Sequence, residues 1–271
     1  MHYLNLLLDA DDTLFDFPKA SARAFSCMCR RHDVPDTPEV RQLYHQINQE
    51  LWDAFDQGKV SKEFVTLERY VRFFHALHLN RDAATCNRDY LSALGECVYP
   101  LPYAEEVCRT LVSCGHRLYI ITNAVASVQR SRLQNSPFAD LITESFTSED
   151  AGASKPDRAY YDYVLAHIPG ASASNTLAVG DSLATDIAGA NNAGLPCCWY
   201  NPHHSPLGKR LDKLWRLSFG DPQHILVDQH LAITAPAGRD CVSTTRSRIC
   251  GYCRTWCKGE FQWICKLSPL P

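Results

Sequence analysis

The sequence lacks a block of lysine and arginine, a long apolar run and a strong excess of either charge. Its formal net charge is −3 over 271 residues. Without a basic stretch, a nucleic-acid footprint is not expected. The apolar residues at the amino end, Leu4, Leu6, Leu7 and Leu8, are too few for a signal peptide or membrane span, and acid follows at once. No later segment is long and apolar enough to cross a bilayer. These absences predict a cytoplasmic protein that engages neither membrane nor nucleic acid polymer; they leave the oligomeric state open. Internal repeats are also missing. At 45% hydrophobic, the chain can bury a substantial core, as one large domain or two modest ones. Cysteine is plentiful, with thirteen residues. In the absence of an export signal most are expected to be reduced, buried small hydrophobes.

What is there begins at Asp9-Ala10-Asp11-Asp12-Thr13, directly behind the apolar run. That places two carboxylates one residue apart at the end of a predicted buried strand. Residues i and i+2 of an extended segment point the same way. Like charges on one face repel and lose hydration, so the arrangement is costly unless a cation or shared proton compensates. The other reading is an acidic exit from strand to loop.

Three later segments share this pattern. Leu118-Tyr119-Ile120-Ile121 ends in Thr122-Asn123, Lys155-Pro156 precedes a helical pattern, and Leu177-Ala178-Val179 ends in Gly180-Asp181-Ser182, with Thr185-Asp186 beyond. Singly, each has a plain explanation: a solvated lysine, a turn, a helix cap. Jointly they gather polar residues around apolar strand ends, where open parallel sheets bind their ligands.

The order Asp-x-Asp-x-Thr, strand-Thr-Asn, Lys-Pro, Gly-Asp-Ser-x-x-Thr-Asp resembles the four motifs of the haloacid dehalogenase-like superfamily, from the amino end to about residue 205. Within it, residues 9–17 and 192–204 are similar to the bacterial 5′-nucleotidases that hydrolyse pyrimidine nucleoside monophosphates. Asp12, where many sugar-phosphate relatives have glycine, leans the same way. The resemblance implies a Rossmann-like core with a helical cap inserted after the first motif.

The chain's own patterning points to the same α/β class. Helical periodicity fills 18–31, 38–57, 64–77 and 84–98, enough for a small bundle. From Pro100 helices (103–114, 125–135, 158–168, 184–193) alternate with strands (117–122, near 141–146, 176–180, 196–200), implying a parallel sheet covered on both faces. The expected domains are a Rossmann-like core at 1–15 and 99–232, a helical cap at 16–98 and a Cys-rich tail at 233–271. The tail is expected to be disordered or atypical. Its Cys250-x-x-Cys253-x-x-x-Cys257 and Cys265 lack the second tight pair of a zinc site.

The resemblance assigns roles. Asp9 is the nucleophile and forms an aspartyl-phosphate. Asp11 is the general acid, then the base. Mg²⁺ is held by Asp9, the Asp11 carbonyl and Asp181. Thr122 and Asn123 bind phosphoryl oxygens, and Lys155 neutralises charge on the phosphoryl group and Asp9. Thr13, Ser182 and Asp186 support them. Each residue type has a physical rationale: a phosphate monoester dianion repels nucleophiles, and Mg²⁺ suits a few carboxylate oxygens. Phe17, just beyond the nucleophile strand, is a candidate for substrate contact, or else a packing aromatic at a hinge. Trp52, Phe55, Phe64, Tyr70, Phe73 and Phe74 are bundle core by spacing, with a nucleobase platform as the other reading. His203 and His204 follow the last core strand, either beside the crevice or exposed without a role.

The expected activity is hydrolysis of nucleoside 5′-monophosphates, pyrimidines favoured. A phosphatase for small metabolites, such as phosphoglycolate or sugar phosphates, is the alternative. A phosphomutase and a non-catalytic module rank lower. A dehalogenase is disfavoured, because its chemistry does not need Asp11.

Overall fold

The computed structural model describes residues 3–202, 226–228 and 231–234. Of the Cys-rich tail expected at 233–271, residues 235–271 lie outside them, as do His203 and His204. The described residues form an α/β fold: a Rossmann-like parallel sheet and an inserted helical unit. Among the described residues, one compact unit takes in the chain up to Leu14, Leu101–Asn123 and the part from Asp140 onward; the other is Phe15–Pro100 with Ala124–Ala139.

The first unit is built on β1 (Asn5–Asp9), followed much later by α5 (Ala104–Ser113), β2 (Arg117–Thr122), β3 (Ile142–Thr147), the short α7 (Ser148–Ala151), α8 (Arg158–His167), β4 (Thr176–Gly180), α9 (Ala188–Asn192) and β5 (Cys197–Tyr200). The sheet order is β3-β2-β1-β4-β5, all parallel, extended by β7 (Leu231–Thr234) and β6 (Leu226–Asp228), which run antiparallel. These last two strands were not expected from the sequence. Central strands covered on both faces read as continuous apolar runs, and Leu6, Leu7 and Leu8 are buried. Leu7, Tyr119, Ile121, Ala178 and Cys197 line one face and pack with Tyr160, Tyr161 and Val164 of α8. Alternate residues Leu6, Leu8, Ile120 and Val179 are buried on the opposite face. Each such aliphatic side chain contributes roughly 1.5–3 kcal/mol.

The strand order reverses between β1 and β4. Crossovers leave these neighbours in opposite directions, which opens a crevice at their carboxyl ends. Asp9 is the last residue of β1, and Asp181 follows the last residue of β4.

The second unit comprises α1 (Phe17–Arg31), α2 (Pro38–Asp56), α3 (Lys62–Ala76), α4 (Ala83–Glu96) and α6 (Ala126–Gln134). Asp16, Thr37, Ser61 and Asp82 cap the first four through hydrogen bonds to backbone amides. Phe25, Tyr44, Tyr70, Phe73 and Tyr90 are buried in their common core. Of the aromatics weighed as a nucleobase platform, Tyr70, Phe73 and Phe74 are core, Trp52 and Phe55 pack against it, and Phe64 is exposed. The sequence pattern placed the helix at 126–134 among the alternating elements; its packing partner is α4, where Ser131 Oγ donates to the Gly95 carbonyl at 2.9 Å. Among the described residues, no helix is long and apolar enough to cross a membrane.

Candidate active site

Two-residue alternation puts Asp9 on the same face of the sheet as Leu7, and Gly180 on the same face as Ala178. That face carries a carboxylate at one strand end and no side chain at the next. The gap is used. A Cβ built on Gly180 would lie 2.3 Å from Cγ of Asp186, so the Asp186 carboxylate occupies the space a side chain would need. Asp186 reaches it from a single π-helical turn, Leu183–Ile187, where one continuous α-helix was expected. Asp186 and Ile187 amides both donate to the Ser182 carbonyl, at 3.0 and 3.1 Å. Such widened turns are frequent at functional sites. Ser182 caps the turn, with Oγ accepting from the Thr185 amide at 3.2 Å, and its own amide donates to Asp186 Oδ2 at 3.1 Å.

Lys155 fills the centre. Its Nζ donates to Asp9 Oδ1 and Asp186 Oδ1, both at 2.6 Å, and to the Ile121 carbonyl at 3.2 Å. An ammonium has three donors, so all are used. Burial opposes the charge, but Asp186 and Asp9 more than offset it and hold the lysine well above its ordinary pKa. Asp186 is raised, to about 6, because burial outweighs the pull of Lys155, with Asp9 adding to the rise. The geometry decides for the ionised form, since both oxygens of Asp186 accept hydrogen bonds.

Asp181 completes an acidic cluster. Asp9, Asp181 and Asp186 each present an oxygen within 4.8 Å of the others. Burial, then the charges of Asp9, Asp186 and Asp12, push the Asp181 carboxyl up to about 8 against the opposing pull of Lys155. Thr13 Oγ1 donates to Asp181 Oδ1 at 3.4 Å. The donors are all hard oxygens carrying more negative charge than one lysine balances, which fits a cation such as Mg²⁺.

Past Asp9 the chain does not stay extended. Asp12 takes φ +61°, a left-handed conformation tolerated by Asp, and the Leu14 amide returns to the Ala10 carbonyl at 2.9 Å. Asp11 therefore leaves the strand and is half-buried. Thr122, buried at the end of β2, donates its amide to Tyr160 Oη at 2.9 Å. Asn123 is committed differently from expectation: its amide nitrogen donates to the Lys155 carbonyl and its oxygen accepts from the Lys155 amide, both at 2.9 Å. It splints the lysine loop. Phe17 opens α1 and packs against the helical core. Sequence reasoning missed Tyr160, Tyr161, whose hydroxyl donates to the Asp186 carbonyl at 3.1 Å, and Trp199. In sequence these read only as apolar periodicity; no local signal marks their hydroxyl and indole groups as site supports.

Residues 6–200 match the family model of haloacid dehalogenase-like hydrolases. The chain is 36% identical to the HAD-hydrolase YfnB of Bacillus subtilis, over 75% of this chain and 86% of that one. It is 33% identical to the pyrimidine 5′-nucleotidase PynA of Streptococcus pneumoniae, with the same coverage, and 30% identical to the pyrimidine 5′-nucleotidase YjjG of Escherichia coli, over 79% and 92%. A crystal structure of YfnB bound to magnesium superposes with a TM-score of 0.73 and 34% identity, covering 80% of this chain and 99% of that one. The chain belongs to the haloacid dehalogenase-like hydrolases. Within them it is a phosphoric monoester hydrolase and resembles the pyrimidine 5′-nucleotidases.

Proposed function

We propose that this enzyme is a Mg²⁺-dependent 5′-nucleotidase, hydrolysing nucleoside 5′-monophosphates with pyrimidines favoured. The observation that carries the reading is the buried Asp9–Lys155–Asp186 triplet beside Asp181, at the crevice where the strand order reverses. The similarity to nucleotidases from two organisms supports the substrate class.

Asp9 is the nucleophile. One oxygen is held by Lys155, which aims the carboxylate, and the other attacks phosphorus. The ester P–O bond breaks, and Asp11 gives its proton to the leaving alkoxide. Water then attacks the aspartyl-phosphate, Asp11 takes its proton, and inorganic phosphate leaves with Asp9 restored. Lys155 stays charged throughout and offsets negative charge on the phosphoryl group. Asn123 holds the Lys155 backbone, and Thr122 lies at the phosphate end of β2. Asp9, Asp181 and the Asp11 carbonyl would hold Mg²⁺, with Asp186 beside them. When bound, the ion supplies charge neutralisation for an otherwise repelled dianion.

The test is phosphate release across pyrimidine and purine monophosphates and small sugar phosphates, with Mg²⁺ and again with a chelator. Pyrimidine monophosphates should rank first and the chelator should abolish release. Sugar phosphates ranking above all nucleotides would turn the reading to the metabolite phosphatase. Asp9→Asn should remain folded with release at background.

A further inference from the structure

Asp181 is the acid of the cluster with the weakest visible restraint on its side chain. Lys155 holds Asp9 and Asp186 at 2.6 Å, whereas the Thr13 hydroxyl meets Asp181 at 3.4 Å. Asp9 and Asp186 crowd it, each presenting an oxygen within 4.8 Å of its own. A residue under that load, one step beyond the end of β4, needs its backbone fixed if its carboxylate is to stay beside Asp9. The parallel pairing of β4 with β5 stops at Gly180 opposite Trp199, so the Asp181 carbonyl lies outside the ladder. Trp199 supplies the missing bond: its Nε1 donates to that carbonyl at 2.7 Å. The indole is a donor only, and the ring is 6% exposed, packed in the core beneath the crevice.

We propose that Trp199 is a positioning residue for the cation site, its indole N–H clamping the Asp181 backbone so that the carboxylate is presented beside Asp9 before the ion arrives. This rests on the reading of Asp181 as a cation ligand. Without the clamp, repulsion turns the Asp181 loop outward, and binding must then draw it back.

Titration calorimetry of the full chain with Mg²⁺ alone tests it. Trp199→Phe keeps a buried ring and removes the donor. Its Kd for Mg²⁺ should rise about 10-fold, the lower end for partners that orient a ligand. The Mg²⁺ concentration giving half-maximal turnover should rise by the same factor, while melting in chelator stays near wild type. An unchanged Kd overturns the clamp. If Trp199→Phe does not fold, Trp199→Tyr and the wild-type chain replace it: in the ¹⁵N-labelled wild type an indole N–H resonance must move during the Mg²⁺ titration with the calorimetric Kd. No moving indole also overturns it. A wild-type chain that binds no Mg²⁺, or binds it equally well as Asp181→Asn, sinks instead the cation-site reading beneath.

Discussion

Of the buried cations, Lys155 in the sheet unit and Arg69 in the helical unit are treated in opposite ways. Lys155 in the sheet unit meets two carboxylates and a carbonyl. Arg69 in the helical unit donates to the neutral amide oxygens of Asn48 at 3.1 Å and Asn87 at 2.8 Å. Its guanidinium lies 4.7 Å from the Tyr90 ring centre and 5.3 Å from that of Tyr70. Among the described residues its buried Nε has no hydrogen-bond partner. A guanidinium can be buried among aromatic faces and amides because it is weakly hydrated and flat. An ammonium is a compact, strongly hydrated charge, so its burial demands formal countercharge. The lysine is thus embedded among formal charges, while the arginine ties α2, α3 and α4 together. Buried charge alone does not mark chemistry; the company it keeps does.

The sharpest break of this contrast is Lys155→Met. Removing the ammonium leaves two buried carboxylates facing each other, so stability should fall by about 3–5 kcal/mol. Turnover should fall by about 10²–10³-fold, the scale for losing one preorganised charge stabiliser. Denaturant titration and phosphate release measure the two; activity within a few-fold of wild type would make Lys155 as structural as Arg69. Gly180→Ala tests the floor of the same site. The added methyl meets Asp186 Cγ, and overpacking against a buried, tethered carboxylate should cost about 1–3 kcal/mol with a clear loss of turnover. Arg69→Met should take the arginine's donors from two half-buried amide oxygens and cost about 2 kcal/mol. At 25 °C, below its transition, its turnover should match wild type; a large loss in a folded variant would mean the arginine reaches the chemistry.

The smallest effect belongs to the surface of the helical unit, where Asp89 pairs with His32 at 2.7 Å and Arg31 at 2.9 Å. Slight burial raises the Asp89 carboxyl, but these hydrogen bonds more than offset it and hold it below its ordinary value. A depressed carboxylate contributes stability in full above its unfolded pKa, near 4, and loses it as pH falls through the folded value. Solvent screens the pair, so Asp89→Asn should cost about 0.5 kcal/mol at pH 7 and nothing once pH has fallen below the folded value. Melting curves at both ends check it.

The sheet and its strand-end residues were legible because both are local. A run of apolar residues, then Asp9, Thr122 or Asp181, can be read within ten positions. The use made of Asn123 was not legible: its partner is Lys155, 32 positions on, and Thr-Asn ahead of a helix reads equally well as a cap or a phosphate ligand. The π turn at 183–187 was hidden for a related reason. Periodicity there is helical, and the widening answers to Gly180 and Lys155, which only the fold brings near. Likewise α6 follows a core strand in sequence, and nothing local reveals that its neighbour is Gly95.

Tyr160 has a mechanical implication. Its hydroxyl accepts from the Thr122 amide on β2 and donates to the Phe146 carbonyl on β3, at 2.9 and 2.8 Å. One oxygen on α8 therefore joins the tips of two adjacent strands. The helix and the strand tips form a latch: α8 cannot slide without breaking both bonds or dragging the Thr122 amide along. A disturbance on the outer surface of α8 thereby has a short, stiff route to the crevice at the strand ends.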